Sequence, residues 1–99
     1  MIVKNYNFEW DRHKAQTNHE KHGIRFEEAA TVFRDQNALT IFDPDHSKDE
    51  DRWITMGISK TGRLLVVCHT FQELNNTSVS IRIFSSRKAT KKESNLYGR

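Results

Sequence analysis

Residues 63–71, RLLVVCHTF, are apolar on both sides of an alternating chain, with Leu65, Val67 and Phe71 on one side and Leu64, Val66 and Cys68 on the other. A strand with one wet face shows apolar residues only at every second position. A run this short and this apolar predicts an inner strand of a sheet, covered on both faces. His69 falls on the Leu65 and Val67 side, where an imidazole reads as a hydrogen-bonded core residue. Cys68, on the other side, reads as a packing residue.

The neighbouring segments supply the rest of the sheet. Residues 38–42 (ALTIF) read as a strand, and 52–59 (RWITMGIS) and 78–84 (SVSIRIF) alternate in side-chain character along the chain, as does the short stretch Tyr6–Trp10. KTG (60–62) and the turn-rich ELNNT (73–77) separate strands by so few residues that antiparallel hairpins are expected.

Helices are marked by their ends. Asp11 reads as an N-cap for a helix over 12–22, and Gly23 as its left-handed stop. That helix is very polar, with Ala15 its one clear apolar residue, so it is expected to show most of its circumference to water or a partner. Phe26, Ala29, Ala30 and Phe33 fall on one face of a second helix over 26–35. Thr90 and Glu93 have capping-box spacing and start a last helix that runs toward Tyr97, with Gly98 beyond it. The expected order is β-α-α-β-β-β-β-α, an α+β domain with helices packed on an antiparallel sheet.

The chain of 99 residues has the length of one domain, and no linker or repeat divides it, so 1–99 is read as a single unit. MIVKNYNFEWD holds no long apolar core of a signal peptide, and no apolar stretch has the length of a membrane span. The lone Cys68 allows no internal disulfide, which is compatible with a reducing cytoplasm.

Charge is unevenly placed. Residues 1–80 hold 10 Lys/Arg and 12 Asp/Glu, whereas residues 81–99 hold six Lys/Arg and one Glu. A basic end of this kind suits RNA, an acidic protein partner or plain solvation. Arg82 shares its sheet face with Ser80 and Phe84. Such a pair reads either as a platform for phosphate and base or as an outward arginine covering the sheet with its stem. His46 and Glu50 stand in the acidic loop DPDHSKDEDRW, which is either solvated or a source of general acid–base chemistry on a ribose hydroxyl. Arg63 opens the inner strand as a phosphate clamp or as an ordinary turn cation. His13, His19 and His22 do not form H-E-x-x-H, and no Cys pair or glycine-rich phosphate loop is present, so no metal or cofactor is expected.

Four stretches, FEWDRHKAQTNHEKHGIRFEEAATVF (8–33), HSKDEDRWITMGIS (46–59), GRLLVVCHT (62–70) and IRIFSSRKATKKE (81–93), together resemble the BrnT toxins of bacterial type II toxin–antitoxin modules. The motifs are W-D-x-x-K-A-x-x-N-x-x-K-H-G and I-R-I-x-S-x-R-K-A-T-x-x-E. The resemblance implies a RelE-like fold and a cytoplasmic endoribonuclease that arrests translation on free or ribosome-bound RNA. It also implies a BrnA-like antitoxin with a ribbon-helix-helix part, through which alone operator DNA is bound, and no membrane partner.

Trp10, Asp11, Lys14, Asn18, Lys21, His22 and Gly23 match the first motif. His46, Glu50 and Arg52 match the second stretch, Arg63 the third, and Arg82, Ser85, Arg87, Lys88 and Glu93 the last. With the cation placement, this gives His46, Glu50, Arg63, Arg82 and Arg87 as expected catalytic residues. Lys14, Lys21, Phe84, Lys88, Lys91 and Lys92 are the expected RNA contacts, and catalysis is expected to need no metal. Two positions depart from the family pattern: Arg25 stands where a capping Ser is usual, and Phe71–Glu73 carry no Arg after Thr70. They keep a second reading open, a non-catalytic domain that binds RNA or antitoxin.

Overall fold

The computed structural model describes residues 5–99. Part of the segment read for a secretion signal, residues 1–4, lies outside them. Strand β1 (Asn5–Glu9) leads to helix α1 (Arg12–His22), then α2 (Phe26–Ala30) and a 3-10 turn (Thr31–Arg34). Strand β2 (Leu39–Phe42), a short 3-10 turn (Pro44–His46), β3 (Trp53–Ile58), β4 (Leu64–His69), β5 (Gln72–Glu73), β6 (Ser78–Lys88) and helix α3 (Lys91–Tyr97) follow. The order is the expected one with a two-residue strand added.

The sheet runs β1-β6-β4-β3-β2, with β5 on β6, so β4 is an inner strand as its sequence requires. The pairing is antiparallel except between β1 and β6, which are parallel. Short hairpins govern only neighbours in sequence. β1 and β6 are joined through almost the whole chain, so their direction had no local signature.

One face of the sheet carries the core. Leu65, Val67, Val79, Ile81 and Ile83 meet Ile24, Phe26, Ala29 and Val32 from the helical side, all fully buried. Tyr6, Phe8, Trp10 and Phe33 pack around them. Gly57 faces Val32 so closely that a Cβ there would lie 2.8 Å from its Cγ1, which only glycine avoids. Burial of these side chains at roughly 1.5–3 kcal/mol each supplies most of the drive to fold.

His69 is part of that core. Its Nε2 lies 2.7 Å from Thr55 Oγ1, and its Nδ1 2.8 Å from the Thr70 carbonyl oxygen. A carbonyl only accepts, so Nδ1 carries the proton and Thr55 donates to Nε2. Burial pushes the imidazole pKa down to about 4.

Helix ends follow the capping rules. Asp11 Oδ1 accepts from the Lys14 N–H at 2.9 Å, and Gly23 closes α1 with φ of 70°. Thr90 and Glu93 form the capping box of α3, and Gly98 ends it with φ of 95°. Arg25 makes no side-chain cap for α2. The helix expected over 26–35 tightens into a 3-10 turn after Ala30. There the Thr31 hydroxyl donates to the Glu28 carbonyl at 2.6 Å and accepts from the Lys60 N–H, which ties the chain to the β3–β4 turn.

Strand β6 contains an extra residue. Cys68 pairs with Ser85 and His69 with Ile83, so Phe84 is a bulge with no partner in the ladder. Strict alternation would put Arg82 and Arg87 on opposite faces. The bulge puts both on the face away from the core, beside Cys68 and Val66.

A cationic cleft around Phe84

Three cationic side chains converge on the Phe84 ring. The Arg52 guanidinium carbon lies 3.9 Å from the ring centroid, that of Arg82 5.0 Å, and Lys14 Nζ 5.1 Å. Glu50 completes the group: both its oxygens accept from Arg82 Nη2, at 2.5 and 2.6 Å, and Oε1 lies 3.8 Å from Arg52 Nη2. With Asp11 and Ile83 these residues line a cleft of about 320 Å³.

Each reaches the cleft for a local reason. Arg82 follows the β6 alternation, and its backbone N–H donates to Thr70 Oγ1 at 3.0 Å. Phe84 is displaced by the bulge. Lys14 stands in the first turn of α1, oriented by the Asp11 cap. Arg52 is fixed by Ser47, whose hydroxyl accepts from the Arg52 N–H at 2.9 Å and donates to the Asp43 carbonyl. The Arg52 Nε is buried without a hydrogen-bond partner, so its stacking on Phe84 is its main contact.

Chemically, the cleft combines a carboxylate able to hold a proton with cations able to neutralise a phosphodiester, next to an aromatic face. Side chains of Glu50, Arg82 and Arg52 are 39%, 40% and 33% exposed, so substrate can reach them and the ion pairs are weak enough to exchange partners.

The expected site residues separate into groups. Glu50, Arg82, Phe84 and Lys14 come together, and Lys21 lines an adjoining groove. Arg52, matched in sequence but left out of the expected site, belongs at its centre; its place two residues after Glu50 in the same motif was the available signal. His46 does not line the cleft. It is largely exposed, and its Nδ1 lies 2.8 Å from Asp43 Oδ2.

Arg63 is also elsewhere. It stands just before β4, seven residues ahead of the Thr70 that contacts Arg82, roughly 23 Å along an extended strand. Its Nε donates to Glu28 Oε2 at 2.9 Å and its Nη2 to Glu28 Oε1, and the Ser59 and Thr61 hydroxyls donate to Oε2 at 2.7 Å. Arg63 foremost holds the Glu28 pKa down to about 2. The arrangement is a latch between α2 and the β3–β4 turn.

Arg87 shares the outer face but not the cleft. Two parallel bonds, of 2.7 and 2.9 Å, join it to Glu93 of α3, whose pKa is lowered to about 2 chiefly by that contact. The same Glu93 accepts from the Thr90 N–H at 2.9 Å. Lys88, Lys91 and Lys92 are exposed at this end of β6 and on the first turn of α3. The basic end of the sequence is thus spread over two places. Among the described residues, no three His, Cys, Asp or Glu side chains gather as a metal centre would need, and no helix is long and apolar enough to cross a membrane.

The fold is similar to that of the Brucella abortus ribonuclease toxin BrnT in its crystal structure, with a TM-score of 0.56 and 22% identity over 89% of this chain and 100% of that one. No curated protein matches the chain. Residues 10–93, from the Trp10 before the α1 cap to the Glu93 that holds Arg87, match the family described as the ribonuclease toxin BrnT of type II toxin–antitoxin systems. The motifs that shape the cleft lie within that span, and the chain belongs to the BrnT family of ribonuclease toxins of type II toxin–antitoxin systems.

Proposed function

We propose that the chain is a metal-independent endoribonuclease that cuts single-stranded RNA, free or on ribosomes, at the Phe84 cleft and so arrests translation in the cytoplasm. The observation that carries this reading is the Glu50 carboxylate held on Arg82 with Arg52 and Lys14 beside it. Arriving phosphate takes over Arg82, which frees Glu50 to accept the ribose 2′-hydroxyl proton. The 2′ oxygen bonds to phosphorus, the bond to the 5′ oxygen breaks, and that oxygen takes a proton from Lys14, the one ammonium lining the cleft. The products are a 2′,3′-cyclic phosphate and a 5′-hydroxyl. Arg82 and Arg52 offset the charge that develops on phosphorus, a task worth several kcal/mol. His46, bonded to Asp43 outside the cleft, has no step in this scheme.

The regulator is a BrnA-like antitoxin with a ribbon-helix-helix part, which contacts operator DNA for the complex and covers Arg82, Arg87 and Lys88. The test is purified protein on single-stranded RNA with EDTA, with and without ribosomes, and mass analysis of the new ends. Cyclic phosphate ends are expected. RNA left intact in both settings overturns the activity, and cleavage abolished by EDTA overturns its independence of metal.

A second reading, binding without cleavage, draws on the ion pair itself, since Glu50 occupies the guanidinium that phosphate needs. Induced expression in a bacterial host separates the two. Growth arrest relieved by Arg82→Ala at equal protein level favours the enzyme. No arrest, with antitoxin binding intact, favours the binder.

A further inference from the structure

Beyond Phe84 the surface continues into a second hollow of about 330 Å³ between α1 and β6. It shares Lys14 and Phe84 with the cleft and adds His13, Lys21, His22 and Ser85. The two hollows differ in one respect. Asp11 and Glu50 line the cleft, whereas no carboxylate lines the groove. A concave surface with two ammonium groups, two imidazoles and hydroxyls but no acid is built to receive an anion.

The composition of α1 fits such a surface. Arg12, Lys14 and Lys21 outnumber Glu20, and Asn18 is the helix's one buried residue. A helix that gives so little to the core is explained if its β6-facing side is a ligand surface.

We propose that this groove binds the nucleotide next to the one being cut, with its phosphodiester at Lys21 and Lys14, so that Phe84 stands between two consecutive nucleotides. This rests on the cleft being the scissile site. It adds that the protein engages RNA on both sides of the Phe84 ring and therefore favours unpaired strands over duplexes, whose stacked bases cannot open around a side chain.

The experiment measures binding, so it does not depend on cleavage. Fluorescence anisotropy with 2′-O-methyl RNA, which cannot form the cyclic phosphate, is read for lengths of two to six nucleotides across a salt series. Wild-type affinity should step up when the oligonucleotide becomes long enough to fill both hollows, and the logarithmic salt slope should steepen by about 0.7 for the added phosphate. Lys21→Gln should remove that step and flatten the slope by about 0.7. Lys21→Glu should weaken binding of the longer strands further, with circular dichroism unchanged because Lys21 is exposed.

A wild type with no step in affinity overturns the groove. So does a folded Lys21→Glu protein with the wild-type slope at every length. Cleavage of RNA by the wild type in the separate EDTA assay, with either of these results, would leave the cleft in place and remove only the groove. Absent cleavage with the step intact would instead remove the catalytic reading.

Discussion

Asn18 and Ser86 lie 68 residues apart, and the Asn18 side chain accepts from the Ser86 backbone N–H at 3.0 Å while donating to the Ile24 carbonyl at 3.0 Å. Strand β1 ends beside Arg82, so the far half of β6 has no strand on that side. The amide of Asn18 stands in for one.

Asn18→Ala should therefore orphan a buried donor and a buried acceptor and cost about 1–3 kcal/mol. Urea unfolding reads this directly. Asn18→Asp should fail to restore it, because the carboxylate cannot donate to Ile24. A variant as stable as wild type would mean that water replaces both contacts.

Arg63→Gln and Arg82→Gln should part company. The first breaks the Glu28 latch and should lower the unfolding midpoint, with residual activity measured on folded protein close to normal. The second should reduce turnover by 10² to 10³, as about one transition-state donor is lost, with stability nearly unchanged. Steady-state rates at a temperature where both are folded, set beside thermal melts, decide it. An Arg63 variant of full stability and no activity would return that residue to the catalytic list.

Stability should fall on acidification in two stages. His69 has a folded pKa of about 4 against 6.5 ordinarily, so its contribution is complete above pH 6.5 and is lost as pH falls from there toward 4. Glu28 and Glu93, lowered from 4.5 to about 2, contribute fully above pH 4.5 and lose their share between 4.5 and 2. Denaturant midpoints from pH 7.5 to 3 should show both stages. His69→Gln should flatten only the upper one, and an unchanged upper stage would assign it to another group.

Glu93→Ala should release Arg87 and remove half of the capping box together. Loss of helical signal at 222 nm and about 1–2 kcal/mol of stability are expected, with Glu93→Gln intermediate because it keeps the reach to the Thr90 N–H. An equal loss in both variants would put the whole effect on the Arg87 ion pair.

The parts of this molecule written in short range were legible in its sequence. The apolar run of β4, the Asp11 and Thr90 caps, the Gly23 stop and the Arg82–Phe84 face each follow from residues within a few positions of one another. What escaped was set by partners far along the chain. Arg63 finds Glu28 35 residues earlier, and β6 finds β1 across the whole domain. Arg52 is marked by its place in the Glu50 motif, but its seat over Phe84 needs a residue 32 positions further on. Among the acids of residues 43–51 only Glu50 meets Arg82; composition alone leaves it a solvated charge like its neighbours, and it is the motif match that sets it apart.

The unpaired Phe84 makes β6 a strand with two phases. Before it, odd-numbered residues enter the core; after it, Ser86 does. Removing one residue between Ile83 and Ser86 would trade the places of Ser86 and Arg87, setting a guanidinium against the apolar interior and stranding Glu93 without its counterpart. The count of residues there is therefore under tighter constraint than most of their identities. A descendant of this chain can gain or lose residues in the 74–77 turn with little consequence, but a single-codon deletion at the bulge would cost it the core and the outer face at once.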